Sequence, residues 1–136
     1  MGTYINRGNN EFRDIVAHEY VDKSSLIPLI NATLNSEFRY SCVTRCRRFG
    51  TSMAAKMLCA YYDKSCDSRA LFAGLEAEKD DSFESYLNKY FVISLDLTDF
   101  TTKYRNEKDI VKLIQHDVME EVLGLFPDIV AKERDD

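Results

Sequence analysis

Residues 45–52 read Arg45-Cys46-Arg47-Arg48-Phe49-Gly50-Thr51-Ser52, and what flanks them constrains the fold more than any other feature of the chain. A phosphate-binding loop runs Gly, four spacers, Gly, Lys, then Ser or Thr, between a buried strand and a helix. Here Gly50 and Ser52 are in place, Arg45 stands at the first glycine and Thr51 at the lysine. Upstream, Arg39-Tyr40-Ser41-Cys42-Val43-Thr44 is short and rich in β-formers, which predicts a buried strand. Downstream, Met53, Ala54, Met57, Leu58 and Tyr61 recur at helical spacing, so the loop is expected to open directly into a helix.

The second strand is expected at 91–97, within Tyr90-Phe91-Val92-Ile93-Ser94-Leu95-Asp96-Leu97, nearly all apolar as a strand covered on both faces should be. Ser24 or Ser25 caps a helix bearing Leu26, Leu29, Ile30 and Leu34, with Pro28 early enough to be tolerated. Two shorter helices are expected over Ser68–Leu75 and Ser82–Lys89. Asn106 caps a last helix whose stripe is Ile110, Leu113, Ile114, Val118 and Val122, ended by Gly124 and Pro127. These signals predict an α/β fold: a small P-loop-like domain with a short buried sheet, parallel strands 39–44 and 91–97, flanked by helices.

A length of 136 residues fits one domain with one core. The formal net charge of −5 argues against broad nucleic-acid binding, although a local basic cluster can still hold a phosphate. No apolar run approaches a membrane span and the first ten residues are polar, so no membrane partner and a cytoplasmic location are expected. Cys42, Cys46, Cys59 and Cys66 match no zinc spacing and read as reduced, mostly buried thiols. His18 and His116 belong to no partner motif and read as surface or satisfied helix residues.

Several collinear segments resemble the bacterial AAA-ATPase-like family, whose members often carry a PD-(D/E)XK nuclease-like domain after the ATPase part. They are Tyr20-Val21-Asp22-Lys23-Ser24, the 45–52 loop, Tyr61-Tyr62-Asp63-Lys64-Ser65-Cys66-Asp67-Ser68, Leu71-Phe72-Ala73-Gly74-Leu75, Phe83 to Tyr90, and the strand ending Leu95-Asp96. The likeness covers residues 1–100 and fades beyond. It accounts for Arg45, where the family loop characteristically has arginine. It does not account for Thr51, where the family has lysine, or Cys46, where it has proline. The resemblance further implies a Walker B strand downstream, and the chain reads as a single AAA-ATPase-like domain, 1–136, truncated before that element.

The candidate phosphate- or nucleotide-binding residues are Arg45, Arg47, Arg48, Phe49, Gly50, Thr51 and Ser52: backbone amides at a helix N-terminus, with arginine forks nearby. Losing the lysine removes a charge-assisted hydrogen bond, about 1.5–3 kcal/mol or roughly 10- to 100-fold in affinity. No cofactor is therefore expected beyond weakly held ATP or phosphate, no metal, and no catalytic residue. Asp96 ends an apolar strand and reads as a structural or capping residue rather than a magnesium ligand. Asp80, Asp81 and Glu84, and Asp117, Glu120 and Glu121, form two acidic patches.

The expected function is that of a catalytically inactive P-loop-like protein acting by contact with a macromolecular partner. That partner is a bacterial protein or ribonucleoprotein complex, which makes the chain an inhibitor or decoy in host–phage conflict, anti-CRISPR-like in kind. A nucleotide-binding NTPase with partner-dependent hydrolysis and a structural relic are the alternatives. An uncovered sheet edge and apolar face invite a homodimer or a partner complex.

Overall fold

The structure, a computed structural model, describes residues 4–18, 20–44 and 51–127. It divides into two compact units, Gly8–Val92 and a second that joins Met1–Arg7 to Ile93–Asp136. Among the described residues six α-helices run α1 Asn10–Ala17, α2 Leu26–Asn31, α3 Thr51–Tyr62, α4 Phe83–Tyr86, α5 Leu97–Lys103 and α6 Ile110–Leu125. Two 3₁₀ turns, Arg69–Phe72 and Glu76–Lys79, lie between α3 and α4.

The expected α/β architecture is not what forms: the described residues contain no β-strand. Residues 39–44 have no regular structure and lie exposed. The 91–97 segment makes one isolated bridge, Ile5 with Ile93, and the residue before it in sequence, Tyr90, makes another with Asp63. The physical reason is pairing. β-forming composition suits a residue to a pleated surface, but a strand exists only where a neighbour takes up its N–H and C=O groups in a ladder. Leu97, the expected end of the second strand, is instead the first residue of α5.

In the Gly8–Val92 unit an aromatic core does the packing. Phe12, Ile27, Met57, Ala60, Tyr61, Phe72, Ala77, Phe83 and Leu87 are buried together. Met57, Ala60 and Tyr61 occupy i, i+3 and i+4 of α3 and so share one face, which packs on α1. Phe72 is the hub: its ring lies 5.1 Å from Phe12, 5.6 Å from Tyr61 and 5.9 Å from Phe83. Such ring pairs contribute about 0.5–1.5 kcal/mol each beyond their area burial.

The other unit is smaller and more open. Phe100 of α5 is buried, stacked on Tyr4 with centroids 5.2 Å apart. The Ser94 amide donates to the Tyr4 carbonyl at 2.8 Å. Glu121 of α6 accepts the amides of Tyr4 at 2.8 Å and Ile5 at 2.9 Å, which fastens this segment to the last helix. Asp117 of α6 accepts the Tyr104 hydroxyl at 2.6 Å and the Lys103 ammonium at 3.1 Å.

The thiols also differ from expectation. Cys42 is exposed and Cys59 and Cys66 are half-buried, all three without a disulfide, while Cys46 lies outside the described residues.

Candidate phosphate-loop site

Of the seven candidate residues, Arg45, Arg47, Arg48, Phe49 and Gly50 lie outside the described residues. Thr51 is the first residue of α3 and Ser52 the second, with Ser52 exposed. Thr51 and Ser52 are therefore helical, as the segment that follows a phosphate loop is expected to be. The lysine on α3 is Lys56, one turn beyond Ser52, and its Nζ lies 3.6 Å from the Glu11 carboxylate on α1. Among the described residues no cluster of His, Cys, Asp or Glu has the arrangement of a metal site.

The segments that carry the family likeness serve as polar joints around α3. Asp22 accepts the Ser24 amide at 2.9 Å and the Glu76 amide at 2.9 Å, while the Ser24 hydroxyl accepts the Ala77 amide at 2.9 Å. Burial opposes ionisation of Asp22, but the hydrogen bonds from Ser24 and Glu76 outweigh it and hold the carboxyl below its usual range. Tyr20 accepts the Lys23 amide and donates to the Met57 sulfur, each at 3.2 Å. Tyr20-Val21-Asp22-Lys23-Ser24 therefore clips the chain before α2 to the 3₁₀ turn at 76–79 and to α3.

The second joint follows α3. Asp63, fully buried, accepts the Ser65 amide at 2.8 Å, the Ser65 hydroxyl at 2.6 Å and the Gly8 amide at 2.7 Å. Asn88, at φ 53°, donates to the carbonyls of Asp63 at 2.7 Å and Ala60 at 3.1 Å, and accepts the Ser68 amide at 3.0 Å. The Ser68 hydroxyl donates to Ala60 at 2.6 Å and accepts from Asn9 at 3.0 Å. Every polar atom of this buried cluster finds a partner, as burial demands. Burial raises the nearby Cys66 thiol, so that sulfur is a poor nucleophile at neutral pH.

Spacing alone did not reveal this network. The signal was the recurring Asp-x-Ser, whose carboxylate can accept the amide two residues on.

Family comparison returns the same grouping that these segments suggested. The model described as Predicted AAA-ATPase matches residues 7–128. The chain belongs to the predicted AAA-ATPase family. The match continues well past Phe100, where the likeness was expected to fade, and takes in α5 and α6. No curated protein and no solved structure matches the chain. Within this predicted AAA-ATPase, Asp96 acts as the N-cap of α5, accepting the Thr98 amide at 2.9 Å, which is the capping role expected of it.

The acidic patches are largely engaged. Asp80 accepts the Ser82 amide, Glu84 pairs with Arg69, and Glu120 lies 3.1 Å from His116. No helix among the described residues is long and apolar enough to cross a membrane.

Proposed function

We propose that this predicted AAA-ATPase works by contact with a partner protein rather than by phosphoryl transfer. One observation carries the reading: the segments that would form a buried sheet lie in the open. Tyr40 is 82% exposed and Val43 44%, and along 91–95 the outward positions are the apolar Phe91, Ile93 and Leu95. Exposed apolar side chains of this kind favour association with another chain through apolar contact. The absence of lysine at position 51 supports the same conclusion, because that cation offsets the charge that develops during transfer.

A contact module that shares residues 7–128 with the family competes with lysine-bearing members for their partners, which makes an inhibitor or decoy the biological form of this reading. The test is direct. The purified chain is titrated into a lysine-bearing, full-length member of the family and ATP turnover is followed. Dose-dependent inhibition that weakens on Tyr40→Asp supports the reading; unchanged turnover at a large excess counts against it.

The helical placement of Thr51 and Ser52 favours a second reading, nucleotide binding by the chain itself. Calorimetry with ATP and magnesium separates the two. Sub-millimolar affinity lost on Ser52→Ala supports the second, and no measurable heat supports the first.

A further inference from the structure

A hollow of about 210 Å³ opens in the unit that joins Met1–Arg7 to Ile93–Asp136, and all its walls belong to that unit. Its apolar lining is the stacked ring pair of Tyr4 and Phe100, and its charged lining is Arg7, Asp96, Asp99 and Lys103. That volume falls short of the roughly 300–1,000 Å³ of pockets for drug-sized ligands, so a nucleotide is too large and the occupant is a smaller molecule.

Two of these charges are held in place with capacity to spare. The Lys103 ammonium has three N–H donors, and one goes to Asp117 on α6 at 3.1 Å. Asp96 accepts the Thr98 amide with one carboxylate oxygen and keeps the other. Lys103 turns to Asp117 rather than to Asp99, one turn back on its own helix. α5 therefore offers an acid and a base about 6 Å apart along its axis.

We propose that this hollow binds a free amino acid with an apolar side chain: ammonium to Asp96 and Asp99, carboxylate to Arg7 and Lys103, side chain on the Tyr4 and Phe100 rings. The two signs of the lining select that class. A simple cation is opposed by Arg7 and Lys103, and a simple anion by Asp96 and Asp99, whereas a zwitterion answers both pairs at once. Charged groups fixed beforehand lose little freedom on binding. Arg7, Asp99 and Lys103 are exposed, so each contact contributes about 1 kcal/mol or less and the affinity is on the order of 1 mM. The proposal uses none of the residues that carry the partner-protein reading, so either can fail alone.

Amide chemical shifts of the whole isotope-labelled chain are followed at neutral pH as L-leucine is added up to about 50 mM. Saturable shifts at Tyr4 and along α5, with a Kd of about 1 mM, are the expected result. N-acetyl-L-leucine and L-leucine methyl ester, each lacking one of the two charges, bind about tenfold more weakly or worse. Asp99→Asn weakens L-leucine binding about fivefold with helical circular dichroism unchanged. The absence of any saturable shift overturns the proposal. So does a derivative that binds as well as L-leucine, or an affinity indifferent to Asp99→Asn.

Discussion

The fully buried Asp63 carboxylate accepts the Gly8 amide at 2.7 Å, joining positions 55 apart in the chain. The same side chain holds the turn that ends α3, so one residue sets both the entry to α1 and the exit from α3. Asp63→Ala leaves the part-buried Gly8 amide and the Ser65 amide without their acceptor and costs about 2 kcal/mol, the range for lost hydrogen bonds to a charged group. Asp63→Asn keeps one acceptor oxygen and costs about half as much. Urea denaturation reads both. A loss under about 0.5 kcal/mol for the alanine variant would remove Asp63 from its place as a keystone.

Asp22 makes stability depend on acid pH. Its folded-state carboxyl titrates below the unfolded value, so its contribution is present above pH about 4 and disappears as pH falls through the folded value. Asp22→Asn removes that dependence. The variant should show a shallower decline between pH about 5 and 2.5 than the natural chain, measured by thermal melts across that range.

Tyr61 sets the opposite edge. Burial raises its phenol to about 12 while its hydroxyl donates to the Phe83 carbonyl at 2.7 Å. A raised phenol pKa stabilises the fold fully below the unfolded value near 10, and that stability is lost as pH climbs toward the folded one. Tyr61→Phe keeps the ring packing against Phe72 and removes the ionisation, so it flattens the alkaline decline while losing about 1 kcal/mol at neutral pH. Absorbance at the phenolate band against pH, with unfolding followed in parallel, distinguishes the two effects.

Thr51→Lys restores the cation that the family places there. Where the backbone of the loop still cradles phosphate, ATP affinity rises about 10- to 100-fold over the natural chain by calorimetry. An unchanged affinity would mean that the loop no longer forms a phosphate site at all.

Glu121→Ala frees the amides of Tyr4 and Ile5. Hydrogen exchange at those amides, and at Ser94, whose amide bonds Tyr4, should accelerate while the core amides around Met57 and Tyr61 keep their protection. Uniform protection in the variant would show that Glu121 does not fasten the segment.

Helices with an apolar stripe were legible in the residue pattern. α3 covers the helical stripe expected from Met53 to Tyr61, and α6 carries the expected stripe, although its cap position is Asp109 rather than Asn106. α1 sets Phe12, Ile15 and Val16 on one face, but with eight residues and no side chain bonding its N-terminus it lacks the length and the cap that mark a helix in sequence. Ser82–Lys89 shrank to one turn, Phe83–Tyr86, because Leu87 adopts extended backbone and Asn88 a positive φ. The strands were misread because pairing is a property of two segments, and residues 39–44 report only their own half of it. Family membership was readable because it resides in local strings such as Asp22-Lys23-Ser24 and Asp63-Lys64-Ser65. Their purpose was not, since a carboxylate that accepts a distant amide leaves no periodic trace.

Five aspartates, at 22, 63, 67, 80 and 96, turn back to accept the main-chain amide two residues ahead. Each such charge is partly answered by an N–H dipole before any visitor arrives. The formal −5 therefore overstates the repulsion that an approaching anion meets and the attraction that a cationic surface meets. What another molecule senses is shaped less by the number of carboxylates than by which of them still have a lone pair to offer.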